Sequence, residues 1–205
     1  MKNYRFDIEQ NTDEWIKAKL GKFSASGASS LLMDSNKEGY KNLIKKIVEE
    51  RITGKGIEGK WNGNKYTERG HELEPIAIEN YELKTFTKVK KVGLVELKGL
   101  EDWVCCSPDG LIEDNGLVQV KCPIFSTQFD YLETKKVPTD YYKQMQFELL
   151  VTERDYNIFY SFHPSLPDLE IRVERDEKMI SEIEIRLLEA ISEVKKEIDY
   201  LTNLK

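Results

Sequence analysis

The stretch CSPDGLIEDNGLVQVKCP, residues 106–123, places an aspartate, a glutamine and a lysine at a spacing that could do chemistry. It is typical of two short strands joined by an EDNG turn, with Asp109 on the first strand and Gln119 and Lys121 on the second. Because side chains alternate along a strand, Gln119 and Lys121 point to one face, towards a cleft, while the valines beside them pack into the core. The hairpin therefore brings Asp109, Gln119 and Lys121 into one neighbourhood.

Such a group suits the hydrolysis of a phosphodiester bond. A divalent ion neutralises charge on the phosphate and activates a water, and two ions about 4 Å apart can serve the attacking and leaving oxygens. Asp109 could bridge two Mg²⁺ ions, the backbone carbonyl of Val120 could add a neutral oxygen, and Lys121 could hold the nucleophilic water. The residues alone leave a structural alternative open, since PDG is a common turn and a lysine at the end of a strand is commonly a solvated edge residue.

The elements that must position this hairpin follow from hydrophobic periodicity and turn residues. Helices are predicted near 11–19, 25–33, 37–53 and 65–84, with a kink at Pro75, and over 126–136, 138–153 and 176–204. Strands are predicted near 91–98, 102–106, 108–112, 117–121, 155–162 and 168–174. Helices, then strands, then helices predict an α/β (α+β) fold, a mixed sheet flanked by helices.

Length and composition set the broad class. The chain has 205 residues, of which 40% are hydrophobic, and a single domain over 1–205 is expected. No run of 18 apolar residues predicts a membrane span, and the N-terminus lacks an apolar signal core. The three cysteines, Cys105, Cys106 and Cys122, form a poor disulfide framework, so a cytoplasmic setting and a role as small apolar residues are expected.

The net charge of −6 conceals a gradient along the chain. Residues 41–65 carry seven Lys or Arg against three acids, and residues 174–199 carry nine acids against five bases. Binding to phosphates needs a local positive surface rather than a positive total, so nucleic acid is not excluded. On charge alone, two ordinary solvated faces are the better explanation of the gradient.

The hairpin and three other motifs of the sequence resemble those of a nuclease family. The hairpin string is similar to the core of the PD-(D/E)xK nucleases, which have a restriction-endonuclease-like fold, and particularly to the lambda exonuclease and YqaJ-like viral recombinase group. Three further motifs match the same group in the same order: EWIKAKLGKFSASGASSLL at 14–32, RGHELEPIAIENYE at 69–82 and YYKQMQFELLVTERDYNIFYSF at 141–162. Together the four motifs cover roughly residues 12–178.

The resemblance implies a phage or prophage recombination exonuclease. It implies Mg²⁺-dependent 5′-to-3′ digestion of linear double-stranded DNA from its ends, with two ions per site and Mn²⁺ as a substitute. It also implies a homotrimeric ring around DNA, a phage single-strand annealing protein as partner, and a bacterial cytoplasm as location. The residues carried over as the catalytic and metal-binding set are Glu74, Asp109, Gln119, Lys121 and the carbonyl of Val120.

The resemblance also assigns residues that would bind the 5′ phosphate. Ser26 stands where a family serine contacts the terminal phosphate, although it could equally be a helix N-cap. Tyr141 and Gln144, one helical turn apart, match positions that line the same pocket. Lys19 falls where the family has an arginine, so it keeps the charge but loses the bidentate fork. Trp61, on a loop of glycines and lysines, could stack on a base at the duplex end.

Gln119 is the larger departure, because the family has a glutamate there. A neutral amide in place of a carboxylate should weaken metal binding and slow hydrolysis by roughly 10³-fold. Three interpretations compete. The first, which the intact remainder of the motif favours, is a deliberate isosteric Glu→Gln replacement that traps substrate without cutting it; the others are a natural variant in which Asp109 and Glu74 suffice, and a naturally silenced nuclease that binds ends. The rival functions are a DNA-end-binding protein without catalysis and a restriction- or repair-type endonuclease on the same fold.

Overall fold

The computed structural model describes residues 3–56 and 65–204, and it has seven α-helices and nine strands within them. The helices α1 to α7 span Asp13–Lys19, Ala28–Leu31, Glu38–Thr53, Lys65–Thr85, Phe125–Thr134, Thr139–Thr152 and Glu177–Asn203. The strands β1 to β9 span Asn3–Arg5, Phe23–Ser24, Val89–Lys90, Leu94–Glu96, Val104–Cys106, Gly110–Ile112, Gly116–Lys121, Tyr156–His163 and Leu166–Glu174. The predicted mixed α/β class is confirmed.

The strands form two sheets rather than the one mixed sheet predicted. The first sheet has the order β1-β4-β5-β2, and the second has the order β3-β6-β7-β8-β9. The sheets divide at the start of the predicted strand at 91–98. Strand β3, which ends just before it, pairs with β6 of the second sheet, and β4, which lies within it, pairs with β1 and β5 of the first. Between them Gly93 passes so close to Ile8 that an added Cβ would lie 1.9 Å from the Ile8 carbonyl oxygen.

Several predicted bounds also change. The helix expected at 25–33 is a 3-10 helix, Ala25–Gly27, followed by the short α2. The two short strands β1 and β2 were not predicted, since three and two residues are too few to show an alternating pattern. Helix α4 runs through Pro75, where the predicted helix was expected to kink. In the described residues, no helix combines the length and the apolar character that crossing a bilayer requires.

The hairpin of β6 and β7 has the predicted topology. The strands are antiparallel, with Gly110 opposite Val118 and Ile112 opposite Gly116. Gly110 is required here, because a Cβ at this position would lie 2.1 Å from a methyl group of Val89 on β3. Asp109 stands one residue before β6, whereas the predicted strand at 108–112 included it.

The packing places helix α6 between the two sheets. It contacts β4 and β5 of the first sheet and β8 of the second. On the second sheet, β7 and β8 pair in parallel from Gly116 to Lys121. Val118 and Val120 of β7 pack beneath α4, in a cluster with Ala77 and Tyr81. The opposite face of β7, which carries Gln119, is consequently turned towards α6.

Candidate active site

The carboxylate of Asp109 is held against strand β7 by two hydrogen bonds. The backbone N–H of Val120 donates to its Oδ2 at 2.7 Å, and Nε2 of Gln119 donates to the same oxygen. The tight PDG turn makes this possible, because it places Asp109 beside the strand to which β6 pairs. The predicted closeness of Asp109 and Gln119 is therefore present in the structure.

A row of amides connects Gln119 to a buried glutamate on α6. Nε2 of Gln144 donates to Oε1 of Gln119 at 2.8 Å and to Oε1 of Glu148 at 3.0 Å. The other carboxylate oxygen of Glu148 accepts from Nδ2 of Asn157 on β8 at 2.9 Å. Gln119 is only 1% exposed, so its side chain lies beneath the surface and not in the cleft that the sequence predicted it would face. The reason is that α6 covers this face of β7.

An open cleft of about 490 Å³ lies above this row. It is lined from four elements and the segments next to them: α4, the hairpin, α5 and α6. Nζ of Lys121 lies 4.8 Å from the ring centroid of Tyr141, which in turn stacks on Phe159. The lining residues are Arg69, Gly70, His71, Glu74, Asp109, Val120, Lys121, Cys122, Pro123, Ile124, Tyr131 and Tyr141.

Burial and neighbouring charges raise the pKa values of two acids, Asp109 beside β6 and Glu148 on α6. Burial raises the pKa of Asp109, the charge of Glu74 raises it further, and the Lys121 ammonium opposes the change. Burial, together with the negative charge of Asp109, raises the pKa of Glu148 to about 7, which the hydrogen bonds from Gln144 and Asn157 and the charge of Lys121 oppose. Asp109, Glu148 and Lys121 therefore interact electrostatically as one group.

The donors around the cleft fit the Mg²⁺ ion that the resemblance implies. Asp109 and Glu74 offer carboxylates and Val120 offers a backbone carbonyl, which are the oxygen ligands that this ion prefers. Both bonds that Asp109 accepts from the described residues end on Oδ2, so Oδ1 accepts none from them. Among the side chains of residues 3–56 and 69–204, no group of three or more His, Cys, Asp or Glu is placed to hold a metal. Gln119 provides no negative charge, whereas the glutamate that the resemblance implies at this position would provide one.

The predicted phosphate-binding residues are distributed over two places. Tyr141 lines the cleft and Gln144 lies beneath it, whereas neither Lys19 nor Ser26 is among the described residues that line it. Lys19 is placed with its Nζ 3.7 Å from the ring centroid of Trp15, and burial lowers its pKa. Ser26 is exposed on the 3-10 helix, which packs against α6. Trp61 lies outside the described residues.

Four polar residues at or beside the site were not among the predicted site residues. Arg69 lines the cleft with a buried Nε that lacks a partner among the described residues, and His71 lines it one turn before Glu74. Lys91 forms an ion pair with Glu74, and its position just after β3 had no motif to reveal it. Glu148 did have a signal, because it is the lone acid in the otherwise apolar run FELLV of α6.

Comparisons with known proteins agree with this architecture. The chain matches the family model of the YqaJ-like viral recombinase domain over residues 14–155. It is similar to the crystal structure of an alkaline exonuclease, LHK-Exo, from Laribacter hongkongensis, with 33% identity, a TM-score of 0.86, and coverage of 94% of this chain and 97% of that one. The structure of LHK-Exo in complex with dAMP gives the same values.

A phage related exonuclease from Haemophilus somnus 129PT shares the fold at 18% identity, with a TM-score of 0.71 over 88% of this chain and 96% of that one. No curated protein matches the chain significantly. The match to the family model spans more than half of the chain, and the hairpin that carries the candidate site lies inside it. The chain therefore belongs to the YqaJ-like viral recombinase domain family.

Proposed function

We propose that this chain is a metal-dependent exonuclease that digests linear double-stranded DNA from its 5′ ends and leaves 3′ single-strand overhangs. The observation that carries the proposal is the convergence of Glu74, Asp109 and Lys121 on one cleft, from helix α4, the residue before β6 and strand β7. Similarity to an alkaline exonuclease across almost the whole chain supports the same class of reaction.

The chemistry assigns a role to each residue of the cleft. A bound Mg²⁺ ion would be held by Asp109, Glu74 and the carbonyl of Val120, and it would supply charge neutralisation and an acidified water. Lys121 would orient the attacking water and stabilise negative charge on the phosphate through its Nζ. Tyr141, whose ring lies beside that ammonium, restricts where the lysine can point.

Recognition of the DNA end belongs to the same proposal. Lys19 and Ser26 would contact the terminal 5′ phosphate, and Trp61 would stack on the last base pair. A homotrimeric ring around the duplex would keep the enzyme on its substrate, and a phage annealing protein would bind the overhang. The ring predicts a mass in solution three times the 23.9 kDa of the chain, measurable by light scattering.

The contacts of Gln119 support reduced rather than abolished hydrolysis. Its amide is bonded at both ends, to Asp109 and to Gln144, so Asp109 stays in place without a second carboxylate. An inactivated form, which the sequence favours, predicts that only the Gln119→Glu variant cuts DNA.

A pair of digestion assays tests the proposal. The chain with Gln119 and the Gln119→Glu variant are each incubated in Mg²⁺ with a linear duplex and with closed and nicked circles. We expect both to shorten the linear duplex from its 5′ ends, with the variant faster, and to leave closed circles intact. Activity of the variant alone indicates an inactivated form, cleavage of closed circles indicates an endonuclease, and end binding without hydrolysis by either protein indicates a binding protein.

A further inference from the structure

Glu148 is a buried acid directly beneath the candidate cation site, and the described residues around it do not fully neutralise the charge of its carboxylate. Its side chain is 0% exposed. Its hydrogen-bond donors are the neutral amides of Gln144 and Asn157, and no salt bridge joins it to a cation among the described residues. Burying a carboxylate in this way is costly, so a purely structural role would be served equally well by a neutral side chain.

The hydrogen bonds give the row of amides a single direction. An ionised carboxylate only accepts, so Glu148 requires Gln144 to present its Nε2, which then requires Gln119 to present its Oε1. With that oxygen engaged, Gln119 turns its Nε2 to Asp109. Glu148 therefore determines, through two amides, how Asp109 is held.

The position of the charge matters as much as the direction of the bonds. Residue 119 is a neutral glutamine, so the site has one negative charge fewer than the glutamate implied by the resemblance would supply. Glu148 lies three hydrogen bonds from Asp109 by way of Gln144 and Gln119, and the charges of Glu148 and Asp109 interact. A cation bound at Asp109 would relieve the repulsion between the two carboxylates, so their proximity favours binding of the cation.

We propose that Glu148 supplies the negative charge that Gln119 does not, and acts as the positioning residue of the divalent-cation site through Gln144 and Gln119. The inference rests on the proposed function, since it assigns a further residue to the same site. It also explains how a chain with glutamine on the strand keeps a cation site: the carboxylate is on α6 instead. Groups that orient metal ligands typically change metal affinity by roughly 10- to 100-fold when they are replaced.

Calorimetric titration of Mn²⁺ into the DNA-free protein at pH 8, where the carboxyl group of Glu148 is ionised, tests the inference. Four proteins are compared: the chain with Gln119, Glu148→Gln, Gln119→Glu, and the double variant that moves the carboxylate from the helix to the strand. Glu148→Gln should weaken Mn²⁺ binding at least about tenfold in the chain with Gln119. In the Gln119→Glu background, the same replacement should weaken Mn²⁺ binding by less than about threefold, because the negative charge is then present on the strand.

A matched control separates this role from folding. Glu50 is also a buried acid, 7% exposed, and it accepts a bond from the Gly21 amide away from the cleft. Glu50→Gln should leave Mn²⁺ affinity unchanged, and the melting temperature of each variant shows whether it is folded. Unchanged affinity in folded Glu148→Gln, or an equal loss in both backgrounds, overturns the inference.

Measurements of Mn²⁺ binding and of DNA hydrolysis together distinguish failure of the positioning role of Glu148 from failure of the proposed exonuclease function. Binding of Mn²⁺ that depends on Glu148, in a protein that hydrolyses no DNA, would contradict the exonuclease and support the positioning role. Hydrolysis that continues in Glu148→Gln with unchanged Mn²⁺ affinity would contradict the positioning role alone. Absence of Mn²⁺ binding in the chain with Gln119 and in Gln119→Glu would overturn both.

Discussion

Glu74 and Lys91 form an ion pair beside the cleft, with Nζ 2.7 Å from Oε1. The carboxylate lines the cleft on α4, and the lysine follows strand β3, so the pair joins the helix to the edge of the second sheet. Glu74 is also one of the two carboxylates that a cation would use. Lys91 and a bound divalent cation would therefore compete for the same acid.

Replacing Lys91 by methionine should tighten binding of Mg²⁺. The pair is half-exposed, so its strength is at most about 1 kcal/mol, which corresponds to a change of up to about fivefold. The measurement is the Mg²⁺ concentration that gives half-maximal digestion of a linear duplex. Lys88→Met is the matched control, because Lys88 pairs with Glu82 away from the cleft. A higher Mg²⁺ requirement in Lys91→Met would show that the lysine supports the site instead.

Lys121 should be needed for hydrolysis but not for binding. Lys121→Met removes the ammonium beside Tyr141, and we expect the rate of digestion to fall by about 10²-fold or more. Affinity for a duplex end, measured by fluorescence anisotropy in Ca²⁺, should change little. Lys136→Met, at an exposed lysine after α5, controls for loss of one positive charge. Parallel losses of binding and hydrolysis would count against a role in the chemical step.

Lys19 should set the preference for a 5′ phosphate. Its ammonium lies over Trp15, which is anchored by hydrogen bonds from Nε1 to the Gly93 carbonyl and the Ser107 hydroxyl. Lys19→Arg restores a bidentate fork and should increase the ratio of digestion rates between 5′-phosphorylated and 5′-hydroxyl ends by a few fold, to about tenfold. Lys19→Met should bring that ratio close to one, whereas Lys17→Met, at an exposed lysine on the same helix, should not. Equal ratios in all four proteins would remove Lys19 from end recognition.

Glu148 should make the stability of the fold depend on pH. Burial, and then the charge of Asp109, raises its pKa from 4.5 to about 7, so between these values the folded chain holds a proton that the unfolded chain has released. The free energy of unfolding therefore falls as the pH rises from about 4.5 to 7, by at most about 3 kcal/mol. Lys121 and Lys19 also interact with this carboxylate and limit the change.

Chemical denaturation of the chain with Gln119 and of Glu148→Gln at pH 5, 6, 7 and 8 checks this dependence. Glu148→Gln should show a smaller slope and be the more stable protein at pH 8. Some slope should remain, because the pKa of Asp109 is also raised by burial. Identical slopes in the two proteins would mean that Glu148 is ionised throughout this range.

Local patterns in the sequence were enough to predict the hairpin and most of the helices. The contacts that define the hairpin join residues close in sequence, such as Gly110 and Val118, so a turn and an alternating pattern specify them. The apolar stripe of α7 likewise predicted a buried helix face, and Ile180, Ile183, Leu187, Ile191 and Val194 are all buried. The family resemblance then directed attention to Glu74, which no local pattern would have placed beside the hairpin.

The sequence by itself determined the hairpin, the order of the elements and the presence of Asp109, Gln119 and Lys121 around one turn. Only the tertiary structure decided that the strands divide into two sheets and that α6 lies between them with Glu148 under Gln119. The physical reason is the separation in sequence over which each kind of interaction acts. A turn and a periodic pattern act over a few residues, whereas the cover over Gln119 comes from α6, where Gln144 is 25 positions away in sequence, and α6 meets the strand only when the sheets and helices pack.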